Sequence, residues 1–389
     1  MATDTRLNQL GKNAANVPRG SGEHPRLLPE RTYGQPPLDG WTNRILFSDN
    51  LIALGELCKD EEISGKVRLV YIDPPFATNQ TFRSGGNRTA TVSSSNGDKK
   101  AYGDHIVGAQ YIQFLRERFR LLRDLLAEDG SIYVHIDYKM GHYVKVLMDE
   151  VFGQENFIND IARIKCNPKN FERKGYGNIR DMILFYSKGA GFVWNEARVA
   201  MTDEDICRLF AKVDSKGRRY TTTPLHAPGE TKNGNTGESW QGLTPPPGRH
   251  WRYRRDELSR LEKAGLIEWS SSGNPRKMIF AEDILRNGKK LQDVWTFKDP
   301  VYPSYPTEKN LKMLETIVGA SSNPGDIVLD CFAGSGTTLV AAEMHGRRWV
   351  AIDESEVAIE AIVKRLHSIH GMHAYTLFCD SSRQLAAST

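Results

Sequence analysis

Four consecutive residues carry the clearest chemical signal in the sequence: Asp73-Pro74-Pro75-Phe76. They follow Val67–Ile72, an apolar, β-branched run that predicts a strand, and proline ends such a strand because it cannot donate to the ladder. The Asp73 carboxylate and the Pro74 carbonyl are two acceptors on a turn that Pro75 keeps rigid, and Phe76 adds a flat face. A planar base that bears an NH2 group needs such a set. An ordinary Pro-Pro turn is the alternative.

A second segment, residues 328–338, combines an acidic strand end with a glycine turn: Asp330, Phe332, Gly334, Ser335, Gly336, Thr337 and Thr338. Glycine lets the backbone approach a ligand closely, and the N–H groups at the start of the following helix can bind it. Leu339 stands where a dinucleotide fingerprint has its third glycine. Asp353 ends the next predicted strand, where it can bind a ribose diol. The pattern favours a nucleoside without a pyrophosphate; a tight turn without a ligand is the alternative.

The elements that must position these motifs alternate between strand and helix at both ends of the chain. This order predicts an α/β fold with a doubly wound, mainly parallel sheet. Both motifs follow strands, and ligands bind at the carboxyl ends of strands in such sheets, so we expect one shared crevice. We predict strands at 43–47, 67–72, 130–136, 326–330 and 348–352, a strand pair at 160–166 and 181–187, and helices at 51–58, 111–126, 142–151, 256–264, 309–320, 337–345 and 355–369.

The texture of the chain predicts four segments. Residues 1–40 are rich in Pro, Gly, Asn and Arg and predict a flexible arm. Residues 41–190 and 299–389 predict the two halves of the α/β domain, and 191–298 predict an irregular inserted domain. No element can be assigned within 84–104, a polar stretch typical of a lid or a disordered loop.

The chain is 389 residues long, with 39% hydrophobic and 26% charged residues, and its net charge is +4. Residues 161–300 hold 26 basic and 17 acidic side chains, a net charge of +9, whereas the remainder has a net charge of −5. This distribution predicts a basic module that meets a polyanion, because Lys and Arg displace counterions from phosphates. The candidate nucleic-acid-binding residues are Arg249, Trp251, Arg252, Tyr253, Arg254, Arg255 and Lys169; a solvated basic surface is the alternative.

Other features of the composition exclude several classes of protein. No apolar run is long enough to cross a bilayer, and the N-terminus lacks the pattern of a signal peptide. The five cysteines form no CxxC pair, which argues against a disulfide framework or a zinc site and favours a reducing cytoplasm. We therefore expect no metal, no membrane insertion and a cytoplasmic location.

These motifs together resemble the β group of amino-methylating DNA methyltransferases, in which a DPPY/F motif precedes the target-recognition domain and an FxGxG motif comes last. The resemblance covers most of residues 41–190 and 290–370. It includes an early acidic motif at 47–51, a helix–strand segment at 122–137 and a counterpart of the HPTQKP element at 305–310. Residues 248–265 and 293–295 also resemble the methylation subunits of type III restriction systems.

The resemblance implies a Rossmann-like, circularly permuted methyltransferase sheet with an inserted target-recognition domain. It implies methyl transfer from S-adenosylmethionine to the 6-amino group of an adenine flipped out of DNA, because the cytosine enzymes of this type usually read SPPY. Double-stranded DNA would be the partner, with a restriction or translocase subunit and a second copy of the chain as further partners. The implied cofactor-binding residues are Asp49, Asp73, Thr307, Lys309, Asn310, Asp330, Phe332, Gly334, Ser335, Gly336, Thr337, Thr338 and Asp353.

Three other functions stay open at this point. The target could be the 4-amino group of cytosine, or an amine of RNA or protein. A catalytically silent DNA-binding protein on the same fold is the third, although its expected sign, a damaged Asp73 or glycine loop, is absent from the sequence.

Overall fold

The computed structural model describes residues 26–76, 80–84, 99–104, 108–167, 172, 174–231, 234–300, 303, 308–369 and 371–381, with the backbone alone for 80–84, 99–104 and 286–287. The chain forms two compact units. The first comprises Met1–Ala197 and Gln292–Thr389, and the second comprises Arg198–Leu291. The second unit thus falls inside the segment predicted as an insertion, 191–298.

Twenty strands and nine helices are present in these ranges. The strands are β1 (Leu27–Tyr33), β2 (Asn43–Phe47), β3 (Val67–Ile72), β4 (Gln80–Ser84), β5 (Lys99–Asp104), β6 (Leu126–Ile136), β7 (Phe157–Ile164), β8 (Arg180–Ser187), β9 (Arg198–Val199), β10 (Lys212–Val213), β11 (Arg219–Pro224), β12 (His226–Pro228), β13 (Arg249–Trp251), β14 (Ile267–Trp269), β15 (Pro275–Phe280), β16 (Lys289–Lys290), β17 (Val294–Trp295), β18 (Ile327–Asp330), β19 (Arg348–Asp353) and β20 (Tyr375–Asp380). The helices are α1 (Asn50–Leu57), α2 (Gly108–Leu125), α3 (Gly141–Phe152), α4 (Asp203–Leu209), α5 (Arg255–Lys263), α6 (Ala281–Asn287), α7 (Leu311–Ser321), α8 (Thr337–Met344) and α9 (Glu356–His367). None of these helices combines the length and the apolar character that a membrane span requires.

The first unit is built on one ten-stranded sheet with the order β1-β20-β2-β19-β18-β3-β6-β8-β7-β17. The six strands from β20 to β6 are parallel to one another. At the two ends of this block, β1 is antiparallel to β20, and β8 is antiparallel to β6 and to β7. Helices cover both faces of such a sheet, which explains why β3 is an almost continuous apolar run. Five of its six residues are buried. The predicted doubly wound, mainly parallel α/β fold is confirmed.

The two strands that carry the motifs are direct neighbours in the middle of this sheet. β18 pairs in parallel with β3, with Leu329 opposite Val70. From β3 the chain proceeds to β6 on one side, and from β18 it proceeds to β19 on the other. The carboxyl ends of β3 and β18 therefore flank the point where the strand order reverses, which is the ligand-binding position of open α/β sheets. The sheet places the two motifs side by side.

The sheet edge differs from the expectations. The predicted flexible arm, 1–40, contains strand β1, which pairs antiparallel with β20, so that expectation is wrong for Leu27–Tyr33; residues 1–25 lie outside the described part. Neither strand shows a strong alternation in the sequence, and β1 is stabilised by a distant partner. The segment 84–104, to which no element was assigned from the sequence, contains strand β5, which pairs antiparallel with β4. Residues 85–98 lie outside the described part.

The second unit is more regular than expected. It contains a four-stranded antiparallel sheet, β10-β11-β15-β14, and two small pairs, β12–β13 and β16–β9. In the last pair Lys289 lies opposite Val199, so the first and last residues of the unit run side by side. One buried cluster of this unit consists of Leu225, Trp240, Trp251 and Leu258. Strands of two to six residues are too short to show a period, which is why the sequence read as irregular.

Candidate active site

The Asp73–Phe76 turn follows directly after β3. Its Oδ2 atom lies 2.5 Å from the Nζ atom of Lys309. Its Oδ1 atom is buried and accepts no hydrogen bond from any residue that the structure describes. A buried carboxylate oxygen without a donor carries an uncompensated desolvation cost. This oxygen is therefore suited to a donor that a ligand brings.

Helix α2 holds the turn in place through one hydrogen bond. The hydroxyl of Tyr111, a buried residue of that helix, donates to the Pro75 carbonyl over 2.6 Å. The neighbouring Pro74 carbonyl accepts no hydrogen bond within the described ranges. It is thus a second acceptor on the same turn, one residue after Asp73. The ring of Phe76 is half-buried, with its centroid 5.5 Å from the Lys309 Nζ atom.

A buried polar network lies behind this turn on β3, β6 and β8. The Tyr71 hydroxyl is 2.9 Å from Nδ1 of His135, whose Nε2 is 3.3 Å from Oδ2 of Asp181. Lys165 donates to the other oxygen of Asp181 over 2.6 Å. Burial lowers the pKa of His135; burial alone would raise the pKa of Asp181, but the hydrogen bond and charge of His135 and the charge of Lys165 hold it below its usual range. Tyr71, His135 and Asp181 are buried, and the ring centroids of His135 and Phe76 are 6.3 Å apart.

The glycine loop after β18 is held by two aspartates. Asp330 accepts from the Phe332 N–H over 3.0 Å and from the Thr338 hydroxyl over 2.6 Å. Asp353, at the end of β19, accepts from the Gly334 N–H over 2.8 Å. Burial raises the pKa of Asp330 to about 7 and that of Asp353 to about 6. Both carboxylates therefore hold the loop; Asp330 is buried, whereas Asp353 keeps partial exposure.

Only glycine suits the two turning points of this loop. Gly334 has φ +52° and Gly336 has φ +74°, in the left-handed region that side chains disfavour. A Cβ atom on Gly336 would also lie 3.0 Å from Cγ1 of Ile362. The buried hydroxyls of Ser335 and Thr337 lie within reach of the Arg365 guanidinium, at 3.4 and 3.0 Å. The loop can therefore offer its backbone to a ligand, whereas the Ser335, Thr337 and Thr338 side chains have protein partners.

A third group of side chains connects α1 and α2 to the same loop. Asp49 caps α1 by accepting from the Leu51 N–H, and its side chain keeps 37% of its exposure. The Asn50 amide donates to the Cys331 carbonyl and accepts from the buried Arg118, whose guanidinium lies 3.5 Å from the Phe114 ring centroid. That ring is 6.1 Å from the ring of Phe332. Asp49 and Phe332 thus remain accessible beside the glycine turn.

The segment before α7 contributes three further predicted positions. Lys309 pairs with Asp73 as described, and Asn310 caps α7 and donates to the Lys298 carbonyl over 2.7 Å. Both functional atoms of the Asn310 side chain are therefore engaged within the protein. Thr307 lies outside the described residues.

Four exposed arginines follow one another on the second unit: Arg249, Arg252, Arg254 and Arg255. No carboxylate of the described chain forms an ion pair with any of them, whereas Arg260 nearby pairs with Asp256 at 3.0 Å. Tyr253 is half-buried, and its hydroxyl is 3.2 Å from Lys277 Nζ. Uncompensated guanidinium groups at a surface are typical of sites that bind polyanions.

Trp251 and Lys169 are the remaining predicted DNA contacts. Trp251 is 2% exposed, packs in the core of the second unit and donates its indole N–H to the Glu238 carbonyl. The expectation that its ring contacts DNA is wrong, because strand β13 turns alternate side chains inward. Lys169 lies outside the described residues.

Sequence reasoning missed several residues on which the site depends. Tyr111 bonds to the turn and Arg365 to the loop, whereas Arg118 bonds to Asn50 and Asp181 bonds to His135 close to the site. Burial of so many polar groups around one sheet edge is a property of the fold. The only sequence signal for them is a polar residue inside an apolar strand, as with His135 in β6.

An α/β sheet with an acidic Pro-Pro turn beside a glycine loop is the arrangement of methyltransferases that modify exocyclic amines. The sequence model of a family described as DNA methylase matches residues 67–364 of this chain. Type II methyltransferase M.EcaI of Enterobacter cloacae is 42% identical over 329 residues, which cover 83% of this chain and 69% of M.EcaI. The chain belongs to this DNA methylase family.

Other relatives are more distant. The type III restriction-modification enzyme EcoP15I Mod subunit of Escherichia coli is 22% identical over 400 residues, 85% of this chain and 61% of the Mod subunit, so the chain spans less than two thirds of it. The solved complex of M1.HpyAVI with SAM has 17% identical residues and a TM-score of 0.41, covering 83% of this chain and 99% of that one.

Proposed function

We propose that the protein transfers a methyl group from S-adenosylmethionine to the 6-amino group of adenine in double-stranded DNA. The observation that carries the proposal is the buried, unpartnered Oδ1 atom of Asp73 beside the Pro74 carbonyl. Two acceptors at the carboxyl end of a central strand match the two hydrogens of an exocyclic amine. Membership of the DNA methylase family supports DNA as the substrate.

The residues of the turn explain how a weak nucleophile is activated. The lone pair of an aromatic amine is delocalised into the ring. When Asp73 and the Pro74 carbonyl each hold one amino hydrogen, the nitrogen becomes tetrahedral and its lone pair is directed outward. Positive charge develops on the nitrogen in the transition state, and a fixed carboxylate and carbonyl dipole stabilise it. Phe76 offers its ring for stacking on the extruded base.

The glycine loop fits the methyl donor. Its backbone at Gly334 and Gly336 is open to a close approach, Asp353 can accept from a ribose hydroxyl, and Asp49 and Phe332 border the loop. When bound, S-adenosylmethionine would supply an electrophilic methyl group: its sulfur would keep the electron pair of the broken S–C bond, and the methylated nitrogen would release one hydrogen as a proton. Positioning of the two reactants at adjacent strand ends accounts for much of the remaining acceleration.

The identities of the target base and of the partners rest on separate observations. Asp rather than Ser at position 73 supports adenine over cytosine. The unpaired arginines of the second unit support contact with DNA phosphates and guanine edges. The Mod-subunit relatives support a restriction or translocase subunit as an additional partner, and a second copy of the chain is a further candidate. Five cysteines that form no disulfide support action in the cytoplasm.

The test supplies tritiated S-adenosylmethionine to the full chain with duplex DNA, RNA and protein in parallel. The DNA product is then digested and its nucleosides are separated. We expect label in DNA only, in N6-methyladenine. Label in N4-methylcytosine would reject the adenine assignment, and label confined to RNA or protein would reject DNA as the substrate. The absence of label from all three polymers, with DNA binding intact, would identify a silent DNA-binding protein.

A further inference from the structure

Lys309 reaches the Asp73–Phe76 turn from a position between two residues whose side chains are bonded within the protein. Its ammonium lies 2.5 Å from Oδ2 of Asp73, with side-chain exposures of 11% and 17%. On one side Glu308 pairs with Arg365 at 3.0 Å. On the other side Asn310 caps α7 and donates to the Lys298 carbonyl. The two neighbours thus fix the position from which the Lys309 side chain extends.

We propose that Lys309 is a positioning residue for methyl transfer, which acts by orienting the Asp73 carboxylate; this inference rests on the proposed function. A carboxylate rotates readily about its last torsion. Because the ammonium holds Oδ2, the other oxygen is fixed in the orientation that leaves it buried and unpartnered. The same ammonium lies 5.5 Å from the Phe76 ring centroid, within cation–π range. One charge therefore constrains two groups that would contact the base.

The charge of Lys309 has a cost as well as a benefit. An ammonium beside Asp73 neutralises part of the negative charge that would stabilise the developing positive charge on the amine. A fixed ion pair is favoured at this place only if orientation contributes more than net charge. Orientation can contribute that much, because a misplacement of a reacting group by about 1 Å can lower a rate about 100-fold.

The proposal differs in its kinetics from the role that the family resemblance implies, contact with the carboxylate of the methyl donor. Loss of a cofactor anchor would raise the dissociation constant and the KM for S-adenosylmethionine and leave kcat unchanged. Loss of a residue that orients the acceptor would lower kcat and leave cofactor affinity unchanged.

The first experiment compares Lys309→Met and Lys309→Arg with Lys312→Met. Lys312 is a suitable control because it lies three residues further on, in the first turn of α7. Its side chain is 74% exposed and pairs only with Glu315 among the described residues. We expect Lys309→Met to lower kcat about 100-fold, with the Kd for S-adenosylmethionine, measured by calorimetry, within a few-fold of the wild type. Lys309→Arg should restore part of kcat, and the control should match the wild type.

A second experiment measures the ion pair through the Tm of the protein, which does not depend on turnover. If Lys309 acts through Asp73, its loss leaves a largely buried carboxylate without a counter-charge, and the Tm of Lys309→Met should fall. The double variant Asp73→Asn plus Lys309→Met should regain part of that Tm, and it should transfer methyl groups no more slowly than Asp73→Asn alone.

The outcomes separate this proposal from the proposed function. A raised Kd for S-adenosylmethionine with an unchanged kcat would make Lys309 a cofactor anchor and overturn the positioning role, and so would fully additive effects in the double variant. If the wild type methylates no DNA, the proposed function fails. The Tm values of the single and double variants would still show whether Lys309 and Asp73 are coupled.

Discussion

Charged side chains are used differently in two regions of the molecule. We call these regions the strand-end site of the first unit, with Asp73, Asp330 and Asp353, and the arginine surface of the second unit, with Arg249, Arg252, Arg254 and Arg255. At the strand ends, Asp73, Asp330 and Asp353 are partly or wholly buried, and most of their oxygens have donors within the protein. On the second unit, Arg252 and Arg254 are exposed and have no carboxylate partner among the described residues. One region holds its charges in fixed geometry, and the other leaves them available.

The difference teaches how each region should respond to change. A fixed, desolvated acceptor loses its effect when its chemistry or orientation changes, and it is little screened by salt. Exposed guanidinium groups act together through counterion release, so each one contributes a small, salt-dependent share. We therefore expect large, salt-independent effects at the strand ends and graded, salt-dependent effects on the arginine surface.

The largest expected effect is that of Asp73→Asn, which keeps the size of the side chain and removes its charge. We expect kcat to fall about 1000-fold, because one fixed transition-state contact is lost. DNA affinity, measured by filter binding, should stay within several-fold of the wild type at every salt concentration. Asp39→Asn, a change of an exposed carboxylate that pairs with Arg348, is the control. Near wild-type turnover in Asp73→Asn would remove the basis for the comparison.

The second prediction separates packing from binding within one short run of the second unit. Trp251→Ala should lower the free energy of unfolding by about 3 kcal/mol, since it empties a buried site and loses the bond to Glu238. Arg252→Ala next to it should leave stability unchanged, because its side chain is exposed. Chemical denaturation measures both. Equal stability of the two variants would show that the buried and exposed positions have been assigned incorrectly.

The third prediction concerns the arginine surface itself. Arg252→Ala combined with Arg254→Ala should weaken DNA binding about 10-fold and reduce the slope of log affinity against log salt by about 1 to 2. Arg260→Ala, at an arginine that already pairs with Asp256, should change the slope less. If the slope of the double variant equals that of the wild type, these arginines belong to a solvated surface without a partner.

The smallest expected effect depends on pH. Burial raises the pKa of Asp353 to about 6, so this carboxylate gains a proton as the pH falls through 6 and becomes a poorer acceptor. Affinity for S-adenosylmethionine should fall roughly 4-fold between pH 7.5 and pH 5.5. The sign for stability is opposite: because the folded pKa is raised, the contribution of this group to folding is present at low pH and is lost as the pH rises through about 6. Calorimetry should show a flatter profile for Asp353→Asn; an equally steep profile would assign the effect to another group.

The sequence predicted the elements next to the chemistry better than the elements that support it. Strand β3 was predicted at its observed bounds and β18 to within one residue, because each is an apolar run that a Pro or Gly turn ends. Helix α5 was predicted to within one residue at each end. Strand β1 was missed, because its burial pattern is mostly exposed and its pairing partner, β20, is near the other end of the chain.

The same limit applies to the site. The acidic turn and the glycine loop were recognisable because their residues are contiguous. The pairing of Lys309 with Asp73 and the bond from Tyr111 to Pro75 join residues that are far apart in the chain. Spacing contains no information on such contacts, which depend on how β3, α2 and the segment before α7 pack. The inward orientation of Trp251 likewise follows from the pairing of β13 with β12, which three residues cannot reveal.

The short ladder between β9 and β16 has a consequence for how such proteins can diversify. Because Arg198 and Lys290 face each other across it, the second unit leaves and rejoins the chain at nearly the same place. An exchange of everything between these two strands for a different folded segment would leave every strand of the ten-stranded sheet in its own chain order. A gene that recombines at these two points would therefore exchange the arginines of the second unit and inherit Asp73 and the glycine loop unaltered.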